Sequence, residues 1–386
     1  MAPKSKPNPD RDLHALIDVA KTTQTLLTHY QSSLTLSQTS SDSVTPSSTS
    51  ETPPNPLDVI KATTTLLRSH TTTLSLLLLT PPLTATAISK KLGDVGAGVL
   101  SSMIAAALTA PQAGQKDELG TLLRTELRVQ VKRVLGTWSD IPALVLRFAE
   151  RRERDIKIGK AKDEGPSESD KQNVLSSTGV VWEACDDLLK ICNNGVVGLV
   201  VKKAEEWRGT LKDAVEELKE WGEDEEDDDD DEAEGSDNEF KDEDDIFAAA
   251  NKLGKGDKEL KALLDISLKK LKLVGTLYQA LIKRRLKVFP KSFPPANSTN
   301  GDASEKPLDS MEKLEKLMDI LKSIPDTVDD LASGFYDLDE EEAKETLEKC
   351  CREAKSAAAL VKQSWAGQDD EFTAWSEKWV SALEAS

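Results

Sequence analysis

Along most of the chain, apolar residues recur at steps of three, four and seven, the spacing that gathers them on one face of an α-helix. From Asp10 to about Leu36 the stripe is Leu13, Leu16, Ile17, Ala20, Leu27 and Leu34, with Asp10 placed to cap the first turn. A second helix, Leu57 to Leu79, carries Ile60, Leu67, Leu74 and Leu78 and is stopped by Pro81-Pro82. The third, Thr84 to Thr109, is lined by Ile88, Leu92, Val95, Val99, Met103 and Ala106. A fourth, Asp117 to Ser139, shows Leu119, Leu123, Leu127, Val131, Val134 and Trp138. Pro142 is expected to break or kink it before a second rod runs on through Arg154. A polar loop near 159–170 leads into a long amphipathic run from Lys171 to Trp221, where Gly195 marks a bend.

Beyond an acidic stretch the pattern resumes. It predicts a short helix over Asp244 to Leu253 and a long one over Asp257 to Phe289, the latter with Leu260, Leu264, Leu271, Val274, Tyr278, Leu281 and Ile282 inward. After a loop near 290–306, Pro307 to Ile324 is helical and Pro325 is expected to interrupt it, with Val328 and Leu331 resuming the stripe. Two last helices cover Asp339 to Trp365 and Gln368 to Leu383. No stretch alternates like a half-buried strand. Many long amphipathic helices with short joins predict an all-α fold of two antiparallel helical bundles.

Charge sharpens the domain picture. Of the twelve residues from Glu223 to Glu234, eleven are acidic, and the run to Asp245 carries most of the chain's net charge of -19. Self-repulsion prevents such a segment from burying a core, so the expected organisation is a bundle over 1–222, a disordered acidic linker over 223–245 and a bundle over 246–386. A second gap in the apolar pattern, the Ser/Thr/Pro-rich stretch near 37–56, reads as a flexible loop. With the acidic run set aside the remainder is nearly neutral, which removes the broad basic face that direct nucleic-acid binding needs. Two local basic clusters remain: Arg151, Arg152, Arg154, Lys157, Lys160 and Lys162, then Lys283, Arg284, Arg285 and Lys287. Either could serve as a nuclear-import patch or an acid-binding face, and the plainer reading of both is a solvated helix end. The apolar run Leu74 to Leu79 falls short of the roughly 20 residues of a membrane helix, so no membrane partner is expected.

Candidate chemistry is sparse. His14, His29 and His70 all fall in the first 70 residues, and His14 and His29 are about four turns apart, too far to share a metal or proton. The glycines Gly93, Gly96 and Gly98 lack the preceding strand of a phosphate-binding loop and read as small residues inside a helix. Metal-spaced Cys/His clusters and nucleophile elbows are absent from the sequence, and Cys185, Cys192, Cys350 and Cys351 read as buried thiols of a reduced compartment. The expectation is a non-enzymatic chain without cofactor or metal, monomeric, cytoplasmic and nuclear. Ser236, flanked by acids, is a candidate phosphosite.

Two stretches carry more. TGVVWEACDDLLKICNNGVVGLV, Thr178 to Val200, and SIPDTVDDLASGFYDLDEEEAKETLEKCCREAKSAAALVK, Ser323 to Lys362, resemble the cyclin-D-binding (Grap2 and cyclin-D-interacting) family. The matching positions are Gly179, Trp182, Cys185 and Asp186, then Asp329, Asp330, Leu331 and Tyr336. Asp337 and Leu338 stand where that family usually has Pro-Pro. The resemblance implies talin- and vinculin-like bundles and a negative regulator of cell-cycle progression and transcription, with cyclin-D-like or helix-loop-helix partners. All eight positions read as packing and turn residues rather than partner contacts. Two further classes fit the same composition: a talin-like cytoskeletal adaptor, and an acidic chaperone gripping basic proteins through the run from Glu223.

Overall fold

The computed structural model describes residues 9–36, 54–110, 119–160, 165–223, 253, 257–290 and 310–386. Among them the regular structure is helical and no strand occurs. The protein is all-α and divides into two compact units, Met1–Gly195 and Val196–Ser386.

In the first unit, α1 (Pro9–Leu36), α2 (Pro56–Leu79), α3 (Ala85–Asp94), α4 (Ser101–Leu108), α5 (Gly120–Trp138), α6 (Asp140–Lys157) and the start of α7 (Glu168–Glu223) form a bundle. The expected stripes are its core: Leu16, Ala20, Ile60, Leu67, Leu74, Ile88, Leu92, Val95, Val131 and Trp138 are fully buried. Asn55 caps α2 by accepting from Leu57 N at 2.9 Å, and Pro56 opens the helix where a missing N–H costs nothing. A π-helical turn, Val95–Leu100, joins α3 to α4. This places the three suspect glycines inside a rod, and a Cβ on Gly96 would only touch Leu26. The rod Ala85–Leu108 is long and apolar enough to cross a membrane by length and composition, a feature the shorter run Leu74 to Leu79 does not reveal. Its apolar face is spent within the bundle, with Ile88, Leu92, Val95, Leu100 and Met103 sealed from solvent. The expected break falls at Ser139, between α5 and α6, where the residue itself keeps helical angles, and Pro142 sits in the first turn of α6, where its missing N–H costs little.

The boundary differs from the expectation of an acidic linker between domains. α7 is broken at Gly195, whose φ of 59° and ψ of -157° no helix tolerates, and the units divide there. Residues 196–223 belong to the second unit. Trp221 packs on Phe335 and Tyr336, and Lys287 pairs with Glu205 at 3.5 Å. The acidic residues 224–245, Ser236 among them, lie outside the described residues, as do 37–53, 291–309 and all of the short helix expected over 244–253 except Leu253.

The second unit adds α8 (Lys258–Leu281, continued by a π-helical turn Ile282–Leu286), α9 (Ser310–Tyr336), α10 (Glu340–Leu360) and α11 (Glu371–Ala385). A tight turn reverses the chain between α9 and α10, with Leu338 at φ 57° and Asp339 capping α10 through Glu342 N at 2.9 Å. The close approach rests on Gly334, where a Cβ would stand 3.2 Å from the backbone nitrogen of Ala343. The last helix closes this unit: Trp379 Nε1 donates to Leu273 O at 2.9 Å.

Pro325 does not interrupt α9. The helix runs through it, and Pro325 is buried. Proline has no N–H for the carbonyl four residues earlier, which would leave Leu321 O an orphan inside the core. Tyr278 of α8, fully buried, donates its hydroxyl to that oxygen at 2.5 Å. The partner that lets the proline stay comes from a different helix, where a local pattern cannot show it.

Candidate interaction surfaces

Side chains that could do covalent or acid–base chemistry are dispersed or shut away. His14 is exposed and 3.2 Å from Glu153, His29 packs edge-on to Tyr30, and His70 stands 3.5 Å from Lys91. Burial lowers the His70 pKa, and Lys91 adds to it. All four cysteines are free and buried. Burial pushes the Cys185 thiol up to about 12 and Cys192 to about 11, and it raises Cys350 and Cys351 as well. A thiol in that state is not a nucleophile at neutral pH. Among the described residues no group of three or more His, Cys, Asp or Glu side chains is placed to hold a metal ion.

The basic clusters are mostly neutralised from within. Arg151 donates to Asp170, which also takes Arg147 at 2.9 Å, while Lys157 pairs with Glu153 and Lys160 with Asp155. Burial works against the Asp170 charge, but the hydrogen bonds from Arg151 and Ser167 hold its pKa below the usual carboxylate range. Lys162 lies outside the described residues. In the second cluster Arg285 is not on a solvated face. It is 1% exposed, bidentate to Asp370 at 2.7 and 2.8 Å, and donates to the carbonyls of Arg284, Val361 and Lys362. Its guanidinium lies 4.4 Å from the Phe372 ring centre. The residue that reads as surface charge is the pin joining the end of α8 to the α10–α11 connection.

The two family-like segments behave differently. In the later one Leu331 is fully buried, Tyr336 packs on Trp221 and donates to Glu217 at 3.4 Å, and Asp330 pairs with Lys349 at 3.8 Å. Burial and then the charges of Asp326, Asp330 and Glu217 raise the Asp329 pKa. These positions are internal carpentry of the second unit.

The earlier segment is only half structural. Cys185 is sealed in the core. Gly179 is exposed, with open space where a Cβ would be. Trp182 is partly exposed, yet its Nε1 is buried without a hydrogen-bond partner. Asp186 accepts from Arg68 of α2, whose guanidinium lies 5.5 Å from the Trp182 ring centre. Arg68 is the neighbour of this segment that sequence alone passes over. It had a signal, as the one arginine in a helix otherwise built of Thr, Ser, Ala and Leu from Ala62 onward, save His70.

Among the described residues the thiols are buried, the histidines are scattered, and the fold is that of a helical-bundle protein. Residues 58–224, from α2 to the end of α7, match the family model "Grap2 and cyclin-D-interacting, N-terminal", and this part of the chain is similar to that family's N-terminal domain. An uncharacterised protein of Schizosaccharomyces pombe is 24% identical over 331 residues, covering 86% of this chain and 84% of its own.

Proposed function

We propose that this protein is a non-enzymatic regulator that acts by stoichiometric docking on helical-bundle faces, restraining cell-cycle progression and transcription through D-type cyclin or helix-loop-helix partners. The observation that carries the reading is the match over residues 58–224 to the Grap2 and cyclin-D-interacting family. The shielded cysteines and dispersed histidines support it, because they leave docking as the chemistry the folded chain has to offer. In this reading the chain works as a monomer in cytoplasm and nucleus, without cofactor, and contacts neither nucleic acid nor membrane.

The test is a titration of the purified full chain against a purified D-type cyclin and a purified helix-loop-helix dimerisation domain, read by calorimetry. Saturable one-to-one binding to either supports the proposal, and no heat with both refutes its partner assignment. Co-sedimentation with actin filaments would move the reading to a cytoskeletal adaptor. Loss of all protein binding on deletion of 223–245 would move it to an acidic chaperone.

A further inference from the structure

Two cross-links fix the register of α2 against α7 in the first unit. Ser75 Oγ and Thr178 Oγ1 are 2.5 Å apart and buried, and Arg68 pairs with Asp186 further along. The helices therefore run antiparallel, and helical periodicity sorts the remaining residues. Leu67, Thr71, Leu74, Leu78, Val181, Cys185 and Leu188 turn to the core. On the opposite, solvent side of the same seam stand Leu175, Gly179 and Trp182 of α7, at steps of four and three, with Thr72 and Leu76 of α2.

That outer side carries two exposed leucines. Leu76 is 59% exposed and Leu175 55%. The threonines of α2 offer methyls more than hydroxyls, because Thr65, Thr72 and Thr73 each donate to the carbonyl four residues back at 2.9, 2.9 and 3.0 Å. Arg68 and Asp186, the charges on this seam, neutralise one another. Gly179 costs the helix stability, yet nothing inside the molecule needs it: its backbone is helical and no atom lies within 4 Å of a Cβ built there. Beside it, Trp182 keeps its Nε1 donor unsatisfied.

We propose that the outer side of the α2/α7 pair is a docking groove for one amphipathic α-helix of a partner protein, a helix whose contact stripe is uncharged. Two antiparallel helices leave between their side-chain ridges a groove of the shape a third helix fills. The notch at Gly179 admits a bulky side chain or a close backbone of that helix, and Leu76 and Leu175 flank it. Charge selects the stripe: a charged residue set against Leu76, Thr72 and Leu175 would be desolvated among apolar atoms, with Arg68 and Asp186 already paired to each other and the exposed Glu183 a turn beyond Gly179 at the rim rather than at the stripe centre. The inference rests on the docking reading above and adds where docking occurs and what kind of segment docks.

The experiment displays two libraries of 20-residue amphipathic helices to the full-length chain, one with an uncharged stripe and one with a lysine at the stripe centre. Enrichment is expected from the first alone. The selected helices should bind Leu76→Glu, Leu175→Glu and Gly179→Leu at least tenfold more weakly, and Val129→Glu, at an exposed apolar site on α5, as well as the parent. Gly179→Leu separates binding from folding, since it removes a helix glycine and should leave the urea midpoint equal or higher. Failure to enrich from the uncharged library, or binders indifferent to all three groove substitutions, overturns the groove. A D-type cyclin that binds the triple variant as tightly as the parent also overturns it while leaving the proposed function standing. Enriched helices together with a cyclin that fails to bind the parent refute the cyclin assignment and sustain the groove.

Discussion

Replacing Tyr278 by Phe should destabilise the protein, and the size of the loss should depend on whether residue 325 is proline. The ring is fully buried, so the substitution keeps its packing and removes one oxygen. That oxygen is the donor Leu321 O receives at 2.5 Å, and Pro325, lying within α9, has no N–H to replace it. A buried carbonyl left unpaired costs about 1–3 kcal/mol, so Tyr278→Phe should lower stability by about 2 kcal/mol. In a Pro325→Ala background the alanine N–H can reach Leu321 O in ordinary helical geometry, and the same change should cost about 0.5 kcal/mol. The double-mutant cycle should therefore show a coupling of at least about 1 kcal/mol, above the few tenths that independent sites give. Urea unfolding followed by tryptophan fluorescence is the assay, because five of the seven tryptophans, Trp207, Trp221, Trp365, Trp375 and Trp379, lie in the second unit. Equal costs in the two backgrounds would refute the account of how α9 tolerates its proline.

Asp370→Asn keeps an acceptor for the first turn of α11 but loses the charge that Arg285 holds, and hydrogen bonding from Arg285 keeps the Asp370 carboxyl down at about 2. Such a depression is worth about 2.5 kcal/mol, but Asp370 is 37% exposed, so screening reduces the expected loss to about 1–1.5 kcal/mol. Because the folded pKa lies below the unfolded one, this stability is present above about pH 4 and disappears as pH falls through about 2; the gap between parent and Asp370→Asn in urea midpoint should close over that window, and a constant gap would contradict the assignment. Gly334→Ala should cost about 1–2 kcal/mol, since its Cβ would press on the Ala343 backbone, whereas Gly179→Ala should gain about 0.5–1 kcal/mol; thermal melts that rank the two alike would count against both readings. The four thiols should resist a disulfide-exchange reagent at pH 8 in the folded chain and all react in 6 M guanidinium, and one fast native thiol would contradict the burial seen for it.

Local periodicity makes the helices legible, because each stripe states its own burial: Leu13, Leu16, Ile17, Ala20, Leu27 and Leu34 all end in the core. What stays hidden depends on residues far apart in the chain. Pro325 reads as a break because its rescuer, Tyr278, is on another helix. Arg285 reads as surface because its neighbours in sequence are basic, while the carboxylate that draws it inward, Asp370, is remote. The division at Gly195 is hidden for a different reason: a dense charge run outweighs one glycine on any compositional scale, and the units divide at that glycine, whose φ is positive. The π-helical turns at Val95–Leu100 and Ile282–Leu286 leave no signal in a pattern of threes and fours.

The two family-like segments carry their information in opposite directions, and this bears on how variants should be read. Around Asp329 to Tyr336 the contacts close within the second unit, through Trp221, Glu217 and the turn onto α10, so changes there should act on folding first and on any partner through it. Around Gly179 to Asp186 the inward positions, Val181, Ala184 and Cys185, pack the core. The outward ones leave an uncommitted glycine, the partly exposed Trp182 with its buried indole N–H unsatisfied, and a neutralised ion pair. A folded chain gains nothing from the first two of these, since a helix glycine and an orphan donor each cost about 1 kcal/mol or more. Features that lower stability without serving the interior are where a surface is expected to meet something else. It follows that stabilising the outward positions, rather than disrupting them, is the informative perturbation: a Gly179 replacement that melts higher and binds worse would separate the two roles within a single helix.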